Sequence, residues 1–201
     1  MSTHEEGYRD RTRERLLAVA EALVTETGLD ALQARRVARE ADCSIGTLYN
    51  IFGDIHGLII ETNARTLKIL GSIMTAASQR STKENLEARL NTLAVTYLDF
   101  ASANQNRWRA VFEHRLPVDK PIPERFGEDR RQLLAMIETQ LADTIDDPEK
   151  RSDTAYALFG AVHGIVLLSL DAKLGTFEPT QCARRIRLLV AHAVAGIQAT
   201  K

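Results

Sequence analysis

Residues 37–52 read Val-Ala-Arg-Glu-Ala-Asp-Cys-Ser-Ile-Gly-Thr-Leu-Tyr-Asn-Ile-Phe, and this stretch decides the fold. It divides into Val37-Ala38-Arg39-Glu40-Ala41, a tight turn at Asp42-Cys43, and a second segment that opens on Ser44. Two short helices joined in this way describe a helix-turn-helix, and each part has a physical task. Ala38 is small enough for two helices to cross closely, Val37 and Leu48 fill a miniature core, and Ser44 has the side chain of an N-cap. Ile45, Gly46, Thr47, Tyr49 and Asn50 are left partly facing outward.

On either side the apolar spacing is helical nearly everywhere, and the turn residues that bound successive short strands are missing. A first helix is expected from about Arg9 to Thr27, with Leu16, Ala20, Leu23 and Val24 on one face and Gly28 closing it. Short helices follow at about 33–40 and 45–52. Asp54 is the expected N-cap of a long fourth helix reaching the mid-seventies, which Ser78 to Thr82 break. A fifth helix carries Leu86, Leu90, Leu93, Tyr97 and Leu98 up to Ala103, and a short sixth holds Trp108, Val111 and Phe112. Pro117, Pro121 and Pro123 force a loop, because proline removes a backbone donor and biases its predecessor away from helix. A seventh helix bears Phe126, Leu133, Ile137, Leu141 and Ile145, after which Asp146-Asp147-Pro148 reads as a capped restart. The eighth helix is expected to run to about Lys173, and a ninth carries Ile186, Leu189, Val190, Ala193 and Ile197. The fold class is therefore all-α: an N-terminal three-helix helix-turn-helix domain, joined by a long fourth helix to a C-terminal helical bundle, about nine helices in all.

Composition narrows the function. Of the 201 residues 44% are hydrophobic and 26% charged, the balance of an ordinary globular protein. A formal net charge of -1 argues against coating nucleic acid or anionic membrane by bulk attraction, so any DNA contact rests on local placement. Residues 1–60 carry seven arginines (9, 11, 13, 15, 35, 36, 39) and no lysine against ten carboxylates, but the arginines fall into two clusters that a helix can aim together. Cys43 and Cys182 are too few and too distant in sequence for a disulfide framework and form no metal-binding spacing, so reduced thiols and no metal are expected. The first residues, Met-Ser-Thr-His-Glu-Glu, do not read as a secretory signal, and the longest apolar run, 157–170, is short for a membrane span. A soluble, cytoplasmic chain with no membrane partner and no cofactor is the expectation.

In order and spacing, Arg15-Leu16-Leu17 to Gly28, Val37-Ala38-x-x-Ala41, Ser44-x-Gly46-Thr47-Leu48-Tyr49-x-x-Phe52 and Leu58 resemble the DNA-binding domain of the TetR family. The later segment Phe159-Gly-Ala-Val-His163-Gly164 loosely resembles a C-terminal class of that family, the WHG-like one, with an aromatic residue four before a His-Gly pair. The resemblance implies a DNA-binding domain over 1–54 and a ligand-binding and dimerisation domain over 55–201. It implies that Thr47 and Tyr49 hydrogen-bond phosphates, that Ser44 both caps and touches phosphate, and that Gly46 lets the helix backbone approach the groove. Ile45 and Asn50 would reach base edges or a thymine methyl. Arg35 matches a position that often contacts DNA, Arg36 and Arg39 are candidates by place, and His56 would lend partial charge near phosphate. The chain departs from the family at Gln33, where Thr commonly caps, at Asp42-Cys43, where Gly-Val is usual, and at Ile55, where Lys commonly approaches phosphate.

The resemblance further implies a homodimer through the last two helices on double-stranded, palindromic operator DNA, and a small-molecule effector that releases it. The segment Ala157-Leu-Phe-Gly-Ala-Val-His-Gly-Ile-Val-Leu-Leu is apolar nearly all round, as a helix covered on several sides must be. Tyr97, Phe100, Trp108, Phe112, Met136, Phe159 and His163 are the candidate walls of an effector pocket, with Phe126 as a further aromatic, and their character favours an apolar or aromatic ligand. A bundle enzyme is the rival reading. No Glu stands three residues before any of the five histidines, and phosphate-loop and dinucleotide glycine motifs are missing, so catalysis is not expected.

Overall fold

The computed structural model describes residues 3–118, 124–172, 175 and 177–199. Among them are nine α-helices and one 3₁₀ turn, and no strand. The helices are α1 (Thr3–Thr27), α2 (Ala34–Glu40), α3 (Ile45–Phe52), α4 (Ile55–Arg80), α5 (Leu86–Ala103), α6 (Gln105–Glu113), α7 (Glu124–Leu141), α8 (Pro148–Leu170) and α9 (Pro179–Ala199), with the turn at Leu29–Ala31. Pro121 and Pro123, read as loop formers, and Lys173, read as the end of the eighth helix, lie outside the described residues.

Local chemistry sets the boundaries. Asp54 Oδ1 accepts from the Gly57 amide at 2.9 Å at the start of α4, Asn85 Oδ1 caps α5 through the Ala88 amide, and Asp147 Oδ1 accepts from Glu149 ahead of Pro148 in α8. Helix α1 begins at Thr3 rather than near Arg9, since no proline or cap residue stands in between to stop it. Helix α4 runs on to Arg80, past the expected break, and only then does Ser81 turn its hydroxyl back on the carbonyl of Ser78. Helix α7 stops at Leu141, short of Ile145, whose amide closes a last turn onto the Leu141 carbonyl.

The chain forms two compact units, Met1–Lys68 with Asn104–Gly127, and Ile69–Ala103 with Glu128–Lys201. The division thus falls within α4, between Lys68 and Ile69, rather than at 54/55, and α6 belongs to the first unit. The reason is packing: α6 lies on α1 and on the 3₁₀ turn. In the first unit Leu16, Leu17, Ala20, Leu23, Val24, Val37, Ala38, Leu48, Leu58 and Ala110 make one buried cluster. Charged and amide groups tie its helices as well. Arg107 reaches Glu21 at 3.0 Å and Thr66 at 3.2 Å, and Asn63, buried in α4, donates to the Ala110 carbonyl of α6 at 2.8 Å. In the second unit α5, α8 and α9 pack mutually. Ala155, Leu158, Val162, Val166 and Leu170 form the buried stripe of α8, and Cys182, Ile186, Val190 and Val194 that of α9. Both stripes follow the three-and-four spacing of a helix with one covered face.

Candidate nucleic-acid interface and apolar cavity

The helix-turn-helix assembles as its residue types require. Val37 and Leu48 are fully buried and Ala38 nearly so, which fixes α2 against α3. Asp42 takes a positive φ of 50° in the turn, a conformation that favours glycine and that Asp tolerates better than most residues. Ser44 is extended and caps α3: its Oγ accepts from the Thr47 amide at 3.0 Å and lies 2.9 Å from Thr47 Oγ1. The two hydroxyls are thus held side by side at the start of α3. Gly46, Tyr49 and Asn50 are exposed beside them, Tyr49 by 45%. Nothing inside the chain demands a glycine at 46, since an added Cβ would meet only Ser44 Oγ, at an ordinary 3.5 Å. Ile45 stands apart from this group, with part of its side chain on the core of the unit.

The arginines divide by task. Arg35 and Arg39 are exposed, whereas Arg36 is held by Glu40 at 2.9 Å. The N-terminal cluster is partly spent on the fold: Arg9 donates to the Asn50 carbonyl at 3.2 Å, and Arg13 pairs with Glu61 and stands 5.7 Å over the Phe52 ring. These contacts fasten α1 to the end of α3 and to α4. Ile55 packs on the core, so its aliphatic chain fills space at the position where a family lysine would approach phosphate. His56 is half-buried with its ring 5.3 Å from that of His114. Gly57 is a residue the sequence reading missed. A Cβ there would fall 2.0 Å from the Phe52 carbonyl oxygen, so only glycine lets the turn between α3 and α4 close this tightly.

The second unit holds an apolar cavity lined by Met74, Leu90, Tyr97, Ile137, Phe159 and Val162, among others, with about 420 Å³ of empty space, part of it open to solvent. It is a narrow slit rather than an open chamber. Tyr97 brings the polar group: its hydroxyl lies 2.7 Å from His163 Nδ1, and Phe159 stacks on the imidazole at 5.7 Å. Burial pushes the His163 pKa below its ordinary value, which keeps the ring neutral and able to accept at Nδ1. Of the seven residues read as pocket walls, Tyr97 and Phe159 line the cavity and His163 is bonded to its edge. Phe100 and Met136 belong to the same unit without lining it. Trp108 and Phe112 do not belong to it. They pair at 5.5 Å within the first unit, where α6 seats Trp108 at 1% exposure. Most of the lining is aliphatic, and aliphatic positions carry no sequence signal that separates cavity from core.

Two family descriptions match the chain: "Bacterial regulatory proteins, tetR family" over residues 16–62 and "Tetracyclin repressor-like, C-terminal domain" over residues 90–193. No curated protein is similar in sequence at a significant level. Among solved structures, a protein of unknown function from Rhodococcus sp. RHA1 is similar with a TM-score of 0.72 and 21% identity, covering 89% of this chain and 93% of that one. A possible TetR family transcriptional regulator from Streptomyces coelicolor A3(2) gives 0.69 and 15%, covering 94% and 100%. The transcriptional regulator FadR from Bacillus subtilis, solved in complex with stearoyl-CoA, gives 0.68 and 13%, covering 88% and 96%. At these identities the likeness is one of fold. The C-terminal match alone spans just over half of the residues and the helix-turn-helix match stands beside it, so the chain belongs to the TetR family of transcriptional regulators.

Proposed function

We propose that the chain is a ligand-responsive repressor that binds a palindromic operator as a homodimer and is released by a small apolar or aromatic effector. The observation that carries the DNA reading is the exposed start of α3. Ser44 and Thr47 hold their hydroxyls together, Tyr49 is exposed, and Gly46 lacks a side chain where nothing within the chain needs the space. A phosphate backbone lying across the helix start needs that space and those donors. Asn50 and the exposed part of Ile45 are the base-reading candidates, with Arg35 and Arg39 as flanking phosphate contacts.

Dimerisation through α8 and α9 has a parallel support. Tyr156 is 68% exposed, Leu168 40% and Leu188 58%, and an added Cβ at Gly160 or Gly164 meets nothing within 4 Å. Helix α8 is also the one helix among the described residues long and apolar enough to cross a membrane, with 28% of its most apolar window buried. An uncovered apolar helix with two small residues one turn apart fits close approach by a second copy, and an isologous pair matches a palindrome. The cavity, apolar except for the Tyr97–His163 pair, fits an effector with an apolar body. FadR's stearoyl-CoA complex supports an acyl-type body as one candidate. A mobility-shift assay on the DNA flanking the chain's own gene tests the reading. A retarded complex that Tyr49→Phe and Gly46→Ala weaken is expected, and equal binding by both variants overturns the assignment.

A further inference from the structure

Two histidines pack against each other in the first unit. His56 stands in the first turn of α4, and His114 is the C-cap of α6, with an extended backbone at φ −64° and ψ 122°. Their ring centres are 5.3 Å apart and the rings are tilted by 30°. Each ring has one buried nitrogen, His56 Nδ1 and His114 Nε2, without a hydrogen-bond partner among the described residues. Buried polar nitrogens are nearly always paired, so two orphans on adjacent rings are a departure that something external can satisfy.

The spacing is one that a shared metal ion accepts. Metal–nitrogen bonds of about 2.0–2.1 Å at a tetrahedral centre hold two imidazole ring centres roughly 5 Å apart, close to the separation found. Either ring nitrogen serves as a ligand in its neutral form. Burial, reinforced by His56, lowers the pKa of His114 and so keeps that ring neutral near pH 7, the form that ligates. No group of three or more His, Cys, Asp or Glu ligands occurs among the described residues, so any remaining positions would go to water. Nitrogen ligands favour zinc-type transition metals over magnesium or calcium.

We infer that His56 and His114 form a two-histidine site for a divalent transition metal of the zinc type. The bound ion clamps the first turn of α4 to the end of α6. The hydrogen bond that the Asn63 side-chain amide donates to the Ala110 carbonyl already joins these helices at a second point, so the ion fixes their mutual setting at the turn that follows the recognition helix. The site gives the regulator an input separate from the apolar cavity.

The test uses the full-length chain stripped with chelator and titrated with Co²⁺, followed by visible absorption, and with Zn²⁺, followed by calorimetry and thermal melting. One ion per chain and a raised melting temperature are expected. Both effects should vanish in His56→Phe and in His114→Phe, which keep the ring packing, and also in His114→Gln should a Phe variant fail to fold by circular dichroism. Uptake that persists at the same stoichiometry in the folded variants overturns the site. So does a native chain that takes up neither ion, in which case the two nitrogens hold water only.

Discussion

Gly46 and Gly57 are the same residue type with opposite reasons. At Gly57 the demand is internal: a methyl group would fall 2.0 Å from the Phe52 carbonyl oxygen, which is backbone and cannot swing aside. Gly57→Ala is expected to destabilise the first unit by at least the roughly 1–3 kcal/mol typical of overpacking, seen as a lowered denaturation midpoint. At Gly46 the methyl group meets only a hydroxyl at contact distance. Gly46→Ala should therefore fold at least as well, gaining up to about 1 kcal/mol of helix propensity, while losing about tenfold or more in affinity for every DNA sequence, about 1.4 kcal/mol. A stable Gly46→Ala protein that binds DNA as well as its parent shows that no phosphate passes there. Asp42 gives a third contrast, because its φ of 50° is paid for where the family commonly has glycine. Asp42→Gly should stabilise the fold by about 0.5–1 kcal/mol, seen as a raised midpoint, and a lowered midpoint means that the carboxylate stabilises the turn. Ile55→Lys is expected to cost stability, since the side chain packs on the core.

At the scale of elements, the helices were legible because apolar periodicity and capping chemistry are local, and each can be read from a few neighbouring residues. Asp54, Ser44 and Asp147 cap as their side chains require. The helix-turn-helix was legible for the same reason, with Val37, Ala38 and Leu48 buried in order. What escaped is non-local. Arg9 spending a donor on the Asn50 carbonyl, or His56 meeting His114, joins positions far apart in the chain, and no periodicity records it. The cavity escaped likewise, because Leu90, Ile137 and Val162 look like any buried apolar residue until their neighbours are known. The sequence of helix α8 is apolar nearly all round, and its outer face with Tyr156, Leu168, Gly160 and Gly164 is the part that a second copy is proposed to cover. Leu168→Glu is expected to shift the dimer to monomer in analytical ultracentrifugation without loss of helix content. A dimer that survives both Leu168→Glu and Gly164→Leu places the interface elsewhere.

For the molecule as a whole, the placement of α6 in the first unit alters what spectroscopy can report. Trp108 is fully buried beside Phe112 and lines no part of the cavity, so its emission reports the packing of the first unit rather than occupancy of the slit. The two units nevertheless share one kind of pH dependence. Burial lowers the pKa of His163 in the second unit, and burial together with the neighbouring His56 lowers that of His114 in the first, both from an ordinary value of 6.5. Once unfolded, each ring takes up a proton as the pH falls through 6.5, while the folded ring stays neutral until its lower value is reached. In that window the unfolded state binds more protons, so stability is full above the ordinary value and declines as the solution is acidified below it. The decline should begin above about pH 5, before carboxylates of ordinary pKa near 4 contribute. Thermal melts in chelator at closely spaced pH values are expected to show it, and His114→Phe should flatten it by one proton's share. A melting temperature constant from neutrality down to about pH 5 would mean that both rings titrate alike in the folded and unfolded chain.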